Sequence, residues 1–311
     1  RGAARRARRR WRDPLVDALV GVVSRLPLGA AAWLGERLGA LVYRFSADQR
    51  HRVRFHLQKA LGAARSGEQI DALAREAFRL MGRGVVSLLV LHRLGAEHLH
   101  SRLVEVVGVE HLDAALAEGR GAIVVGAHFG LFEAAGPRLG AHRHRMAVGR
   151  DARDAGPTRT LIHVREGLGC PTIERGDARA IVRALRDNRP VALVADHDVA
   201  RVNGVFVPFF GDLAHTPVGP AALAARTGAP LVQTLTEWTS RTTHRVRFLP
   251  PMRPRDDLPR DEAAHELTYR YTRVLEDAIR ERPAHWLWLH KRWETRPEAR
   301  PDLPVYQPAA G

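Results

Sequence analysis

From residue 103 onward, short apolar runs alternate with longer segments that have helical periodicity. The runs are rich in Val, Ile and Leu, and their length is typical of strands buried in a sheet. Strands are predicted for residues 103–107, 122–127, 146–148, 191–195 and 231–235. Helices are predicted for residues 110–118, 132–139, 160–167, 178–187, 219–226 and 260–282. Buried strands that alternate with helices predict an α/β fold with a mainly parallel sheet.

The first hundred residues lack such strands. A basic run, residues 5–12, precedes an apolar stretch, residues 14–45, which Asp17, Pro27 and Glu36 interrupt. A spanning helix needs about 20 consecutive apolar residues, so we expect two short helices lying in a membrane interface instead. An amphipathic hairpin packed on the domain is the alternative.

The chain is therefore predicted to have three parts. Residues 1–45 form a basic arm with an interfacial helical hairpin, residues 46–300 form the main domain, and residues 301–311 form a tail. The main domain begins with a helical lead-in, residues 46–100, where apolar residues recur at helical spacing.

The charge is strongly positive. With 49 Lys and Arg against 34 Asp and Glu, the formal net charge is +15 at pH 7. Such a surplus attracts anionic lipid headgroups, acidic carrier proteins or nucleic acid. No nucleic-acid-binding motif accompanies the basic run, so no nucleic-acid partner is predicted. Cys170 is the single cysteine, which excludes an intramolecular disulfide, and we predict it to be a buried core residue without a chemical role.

A histidine stands where an α/β fold places its ligands. The predicted strand at residues 122–127 ends directly at His128, and ligands of open α/β sheets bind beyond the carboxyl ends of strands. Glu133 would lie in the first turn of the following helix, where a carboxylate is favoured. From there it would hold one imidazole nitrogen and leave the other free to accept a proton.

Further motifs extend this pattern into a family resemblance. The His128-x4-Glu133 spacing resembles the signature of the lysophospholipid acyltransferase superfamily, in particular the branch of lipid A late acyltransferases (lauroyl and myristoyl) and phosphatidylinositol mannoside acyltransferases. Six blocks resemble that branch in its order: VREGLG (164–169), ADHD (195–198), FVPFFG (206–211), TPVGPA (216–221), TGAP (227–230) and WLHKRWETRP (288–297). The resemblance implies a glycerol-3-phosphate-acyltransferase-like mixed sheet with helices on both faces and N-terminal membrane-associated helices. The main domain would then be an acyltransferase domain.

The resemblance also assigns roles to individual residues. His128 would be the general base, Glu133 would orient it, and Asp196 would cooperate with it, although its side chain is shorter than the Glu of the mannoside enzyme. Backbone N–H groups near Gly130 or guanidinium groups would stabilise the oxyanion. The predicted substrate-binding residues are Arg150, Arg165, Gly130 and Asp198. The acyl group would pass directly from donor to acceptor without an acyl-enzyme.

The implied partners are an acyl carrier protein or coenzyme A thioester as donor, a membrane glycolipid as acceptor, and the cytoplasmic face of the inner membrane. Lipid A acylation is the first expectation, and a phosphatidylinositol mannoside or another polar lipid is the alternative acceptor. No cofactor and no metal is expected.

Two other classes of protein stay open on the sequence alone. Asp196-His197-Asp198 resembles the metal-binding DxD element of sugar-nucleotide glycosyltransferases, which would make the protein a metal-dependent glycosyltransferase. The fold would also suit a lipid-binding protein without catalytic activity. His142 and His144 are interpreted as solvated residues of a polar loop rather than metal ligands.

Overall fold

The computed structural model describes residues 18, 20–98, 103–136, 147–150, 165, 170, 172–174 and 177–308. The helices are α1 (Leu28–Phe45), α2 (Ala47–Leu61), α3 (Gly67–His98), α4 (Val109–Ala117), α5 (Ala178–Arg186), α6 (Gly219–Thr227) and α7 (Arg260–Glu281). The strands are β1 (Val104–Val107), β2 (Ala122–Gly126), β3 (Ala147–Arg150), β4 (Thr172–Glu174), β5 (Pro190–Val194), β6 (Gly204–Phe209), β7 (Asp212–Pro217), β8 (Leu231–Trp238) and β9 (His244–Phe248). Short 3-10 turns cover Phe132–Ala134, Pro283–His285 and Pro297–Ala299.

Within the described residues, seven strands form one mixed sheet in the order β1-β9-β8-β2-β5-β3-β4. Neighbouring strands are parallel except β8 and β9, which are antiparallel. β2 lies in the centre, where Val125 pairs with Leu193 of β5 on one side and with Gln233 of β8 on the other. Because β2 and β5 run parallel, the residues that follow them meet at the same edge of the sheet.

Helices cover both faces of this sheet. On one face Ile123 and Val125 of β2 pack with buried residues of α5, α6 and α7. On the other face Val124 packs with Leu112 and Leu116 of α4. Successive side chains of a strand point to opposite faces of the sheet. Because every residue of β2 is apolar, β2 can pack against the helices on both faces. The predicted α/β architecture with a mixed sheet and helices on both faces is confirmed.

Most predicted elements are confirmed within a few residues, but four strands were not predicted: β4, β6, β7 and β9. β9 (HRVRF) is buried on alternate residues only, so it has no continuous apolar run. β6 and β7 form a separate antiparallel hairpin, whose sequence contains Pro208 and Pro217. The prediction of a helix at residues 132–139 was wrong at its start, where a 3-10 turn stands, and its end lies outside the described residues. The helix predicted at residues 160–167 lies outside them as well, except for Arg165.

Small residues let α1 pack tightly along α3. A Cβ atom on Gly39 would lie 2.0 Å from the carbonyl oxygen of Phe78, and one on Gly35 would lie 2.4 Å from that of Gly82. Between these glycines the buried Glu36 forms ion pairs with Arg83 and Arg241. α1 is therefore joined to the domain by close backbone contact and by a buried carboxylate.

No helix within the described residues is both long enough and apolar enough to cross a membrane. The proposed interfacial role of the N-terminal helices stays a prediction, as do the three parts of the chain. The basic run, residues 5–12, lies outside the described residues.

Candidate active site

His128 and Asp196 form a hydrogen-bonded pair at the carboxyl edge of the sheet. His128 lies two residues beyond β2 and Asp196 two residues beyond β5, so the pairing of these parallel strands brings them together. The Nδ1 atom of His128 lies 2.8 Å from Oδ1 of Asp196. A carboxylate can only accept, so Nδ1 carries the proton and Nε2 presents a free lone pair. This arrangement suits a general base.

Asp196 is buried and accepts three hydrogen bonds. Its side chain is 2% exposed, whereas that of His128 is 21% exposed. Oδ2 accepts the backbone N–H of His128 at 2.8 Å and the indole N–H of Trp286 at 2.9 Å. Burial alone would raise the pKa of Asp196, but the charge and hydrogen bond of His128, with His197 and Trp286, hold that pKa well below its usual range. Asp196 is thus a fixed anion that orients the imidazole.

Glu133 does not have the orienting position that the sequence predicted. Its carboxylate accepts hydrogen bonds from Nε of Arg165 at 3.0 Å and from Nη2 at 2.7 Å. The expected helix would have turned Glu133 toward the imidazole, but the turn after His128 is a 3-10 turn. The charge of Arg165, a predicted substrate-binding residue, is paired with Glu133 through Nε and Nη2, and its side chain is only 8% exposed.

One predicted substrate contact is also corrected, and another stays a prediction. The backbone N–H of Gly130 donates to the carbonyl of His285 at 2.8 Å, so it does not point to an oxyanion. Gly130 is needed for another reason: its φ is +59°, and a Cβ atom would lie 2.0 Å from the carbonyl oxygen of Thr236. Arg150 ends β3, but its side chain is not among those described.

Asp198 faces the protein interior rather than a substrate. Its carboxylate accepts from the backbone N–H and the hydroxyl of Thr295 and lies 3.1 Å from Nδ1 of His215. Its side chain is 1% exposed. The DxD reading of Asp196 and Asp198 is therefore wrong, because one carboxylate holds His128 and the other is closed inside the protein.

Two further histidines at the site were not predicted. The ring of His197 stacks on that of His128 with 3.8 Å between centroids, and the ring of His290 meets His128 edge-on at 4.8 Å. Burial, His128 and Arg292 lower the pKa of His197 to about 4, although Asp196 raises it. Burial, His197 and His128 lower the pKa of His290 to about 2. Both lie inside blocks that the sequence had already singled out, ADHD and WLHKRWETRP.

An apolar groove of about 360 Å³ opens beside His128. One wall is α3, and the opposite wall combines the turn after β2 with the segment around Trp286. Its lining from α3 comprises Ala77, Leu80, Met81, Gly84, Val85 and Leu88. Pockets of about 300–1,000 Å³ with few polar groups are typical ligand sites. His128, Glu133 and His290 supply polar groups at its edge.

Comparison with known proteins identifies the family of the chain. The profile of the bacterial lipid A biosynthesis acyltransferase family matches residues 2–295. The chain is 27% identical to the lipid A biosynthesis lauroyltransferase of Escherichia coli (strain K12) over 298 residues, 94% of this chain and 95% of the relative. It is 26% identical to the lipid A biosynthesis palmitoleoyltransferase of the same strain over 281 residues, 90% of each chain.

A second group of relatives matches a shorter part. The chain is 34% identical to the phosphatidylinositol mannoside acyltransferase of Mycobacterium tuberculosis (strain ATCC 25618 / H37Rv) over 190 residues, 58% of this chain and 59% of the relative. All three relatives are named as acyltransferases. Because the family profile spans nearly the whole chain, this protein belongs to the bacterial lipid A biosynthesis acyltransferase family and is an acyltransferase of glycolipid biosynthesis.

Proposed function

We propose that the protein moves a fatty acyl group from a thioester donor to a hydroxyl of a lipid A precursor, with His128 as general base. The observation that carries this proposal is the His128–Asp196 pair at the edge of an apolar groove. The pair supplies a proton acceptor, and the groove supplies space for a hydrocarbon chain. An acyl transfer to an alcohol needs both.

The reaction follows from the free lone pair of His128. Nε2 takes the proton of the acceptor hydroxyl while its oxygen attacks the thioester carbonyl, and the fixed Asp196 anion stabilises the imidazolium. The new C–O bond forms, the C–S bond breaks, and the proton passes from His128 to the leaving thiolate. The acceptor itself is the nucleophile, so no acyl-enzyme is formed.

We assign the groove to the acyl chain. Gly84 of α3 lines it, and a Cβ atom there would meet only Leu131 Cδ1, at 3.7 Å, so a larger side chain projects into open space. Gly84→Leu should therefore shift the preferred donor to shorter acyl chains. Relative kcat/KM over a series of saturated donors measures the shift, with Gly29→Leu as control, because Gly29 has no neighbour within 4 Å and lies outside the groove. An unchanged chain-length profile would contradict the assignment.

An exposed apolar stripe on α1 supports binding at a membrane surface. Leu38, Leu41, Val42 and Phe45 follow helical spacing and are 38–79% exposed, and Arg37 and Arg44 lie on the same helix. Apolar residues beside basic residues suit the interface of an anionic bilayer. This surface would place the protein at the cytoplasmic face of the inner membrane, where the lipid acceptor would reach the groove.

Vesicle binding tests that surface. Leu41→Ser combined with Phe45→Ser should weaken cosedimentation with vesicles that contain anionic lipid. The control variant Asp257→Ser, at an exposed residue outside α1, should not weaken it. Equal binding of both variants would remove α1 from the membrane contact.

Donor and acceptor are tested together with purified protein. Labelled acyl carrier protein or coenzyme A thioesters are offered with either a lipid A precursor or a phosphatidylinositol mannoside, and heat-inactivated protein gives the background. The proposal predicts transfer from the acyl carrier protein to the lipid A precursor. Transfer to the mannoside alone would establish the alternative acceptor that the shorter match favours. No transfer to either lipid would contradict a role in glycolipid acylation.

A further inference from the structure

Three histidines converge at the edge of the groove. His128, His197 and His290 each offer one ring nitrogen, and these three atoms lie within 4.8 Å of one another. Nitrogens bound to one tetrahedral zinc ion at about 2.1 Å lie about 3.4 Å apart, so side-chain rotations that move the nitrogens by about 1–2 Å would bring the three into range. Acyl transfer as proposed above uses one of these imidazoles as the base, which leaves the other two without an assigned role.

The lone pairs of this cluster are available. The Nε2 atoms of His197 and His290 are buried and have no hydrogen-bond partner among the described residues. Buried polar atoms without a partner are uncommon, and each calls for an explanation. A bound ion would satisfy both at once. Because Nδ1 of His128 is the atom that binds Asp196, Nε2 is the nitrogen of that ring that can bind an ion.

The surroundings match a metal site in two more respects. A carboxylate behind a metal-binding histidine fixes its tautomer and makes it a better ligand, and Asp196 stands in that position behind His128. Oδ1 of Asp196 also lies 3.9 Å from Nε2 of His197, so its negative charge faces the cluster. His128 and His290 border the groove, which leaves a fourth coordination position open to solvent or substrate.

We propose that His128, His197 and His290 bind one divalent transition-metal ion of the Zn²⁺ type, and that the ion blocks acyl transfer. A metal bound to Nε2 of His128 occupies the lone pair that takes the proton from the acceptor hydroxyl. The metal and the reaction therefore compete for one atom. The binding half of this proposal stands on the cluster alone, and the inhibition half rests on the proposed function.

Cobalt titration tests the binding half directly. Chelator-treated protein is titrated with Co²⁺, whose visible absorption becomes intense in a four-coordinate nitrogen site, and Zn²⁺ is then added as the tighter competitor. One equivalent should bind with that spectrum, and Zn²⁺ should abolish it. His197→Gln and His290→Gln should each lose the spectrum, while the double variant His142→Gln, His144→Gln should keep it. Loss of the spectrum only in the double variant would overturn the site.

A measurement on the wild type guards against variants that fail to fold. X-ray absorption at the zinc edge counts the imidazole ligands of the bound ion, and three are expected. Two imidazoles or fewer would overturn the three-histidine site whatever the variants do.

Activity tests the inhibition half. The acyl-transfer rate should fall in proportion to the fraction of protein that binds Zn²⁺, and a chelator should restore it. For each protein, the rate with Zn²⁺ is divided by the rate without it. This ratio should be closer to one in His197→Gln than in the wild type. Full activity of the zinc-bound protein, or a gain on adding Zn²⁺, would overturn inhibition. If no donor is used at all, the proposed function fails, yet the cobalt spectrum still decides the binding site.

Discussion

At the scale of single residues, the place of His128 at the sheet edge was predictable because an apolar run ends directly before it in the sequence. Local spacing alone paired His128 with Glu133, and only the family resemblance named Asp196, which is close to His128 through the pairing of β2 with β5. A local pattern indicates which residues are near along the chain, and a parallel sheet brings together residues almost seventy positions apart. The same limit applies to His197 and His290, whose meeting with His128 depends on three separate segments.

Replacing Asp196 tests its role as the orienting anion. Asp196→Asn keeps the shape but places an amide among three N–H donors and removes the charge that stabilises the imidazolium. We expect kcat to fall by at least about 10²-fold with little change in KM, because a mispositioned or wrong tautomer disables the base. Steady-state kinetics with the preferred donor measures this.

Glu133→Gln is the matched comparison for that experiment. It also removes one buried carboxylate near His128, but one that pairs with Arg165. Its kcat should stay closer to the wild-type value than that of Asp196→Asn, because the carboxylate of Glu133 pairs with Arg165. A larger loss of kcat in Glu133→Gln than in Asp196→Asn would return the orienting role to Glu133.

At the scale of elements, the strands buried on both faces were predicted well because their apolar runs are continuous. β9 and the β6–β7 hairpin were not predicted, since their sequences mix charged residues, prolines and aromatics with apolar ones. The contact of α1 with α3 was not predicted either. Glycines in a helical segment indicate a close helix–helix contact only when the partner helix is known. Gly35, Gly39 and Gly82 provide that approach.

The helix contact gives a stability prediction. A methyl group on Gly39 would lie 2.0 Å from a backbone oxygen of Phe78, so Gly39→Ala must push the two helices apart. We expect it to lower the free energy of unfolding by about 1–3 kcal/mol. Gly29→Ala, on the same helix with no neighbour within 4 Å, should be neutral or stabilising by up to about 1 kcal/mol. Urea unfolding of both variants measures the difference, and equal stabilities would show that the contact does not constrain α1.

At the scale of the whole molecule, the fold holds histidines in the uncharged state. The pKa of His244 is lowered to about 3 by burial and by Arg83, and that of His285 to about 4 by burial and by Arg282. Both ring nitrogens of His244 lack hydrogen-bond partners within the described residues. The buried histidines stay neutral in the folded protein and become protonated on unfolding, so acid should lower the free energy of unfolding.

Because of His244, the free energy of unfolding should fall as the pH falls. Between its ordinary pKa of 6.5 and its folded pKa of about 3, the unfolded chain takes up a proton that the folded chain excludes. The contribution to stability is present above pH 6.5 and is lost as the pH falls toward 3. His244→Gln should therefore flatten the decrease in unfolding free energy between pH 7 and pH 4, whereas the exposed His51→Gln should not. Parallel pH dependences of wild type and His244→Gln would contradict this.

The central claim, at the scale of the reaction, is that His128 activates the acceptor hydroxyl for direct attack on the thioester. The most direct test is the single-turnover rate of acyl transfer to lipid in wild type and His128→Ala, with the protein examined for bound label at each time. We expect a loss of about 10²- to 10⁴-fold in the variant and label only in donor and lipid. A variant that transfers at the wild-type rate, or label trapped on the protein as an acyl-enzyme, would contradict it.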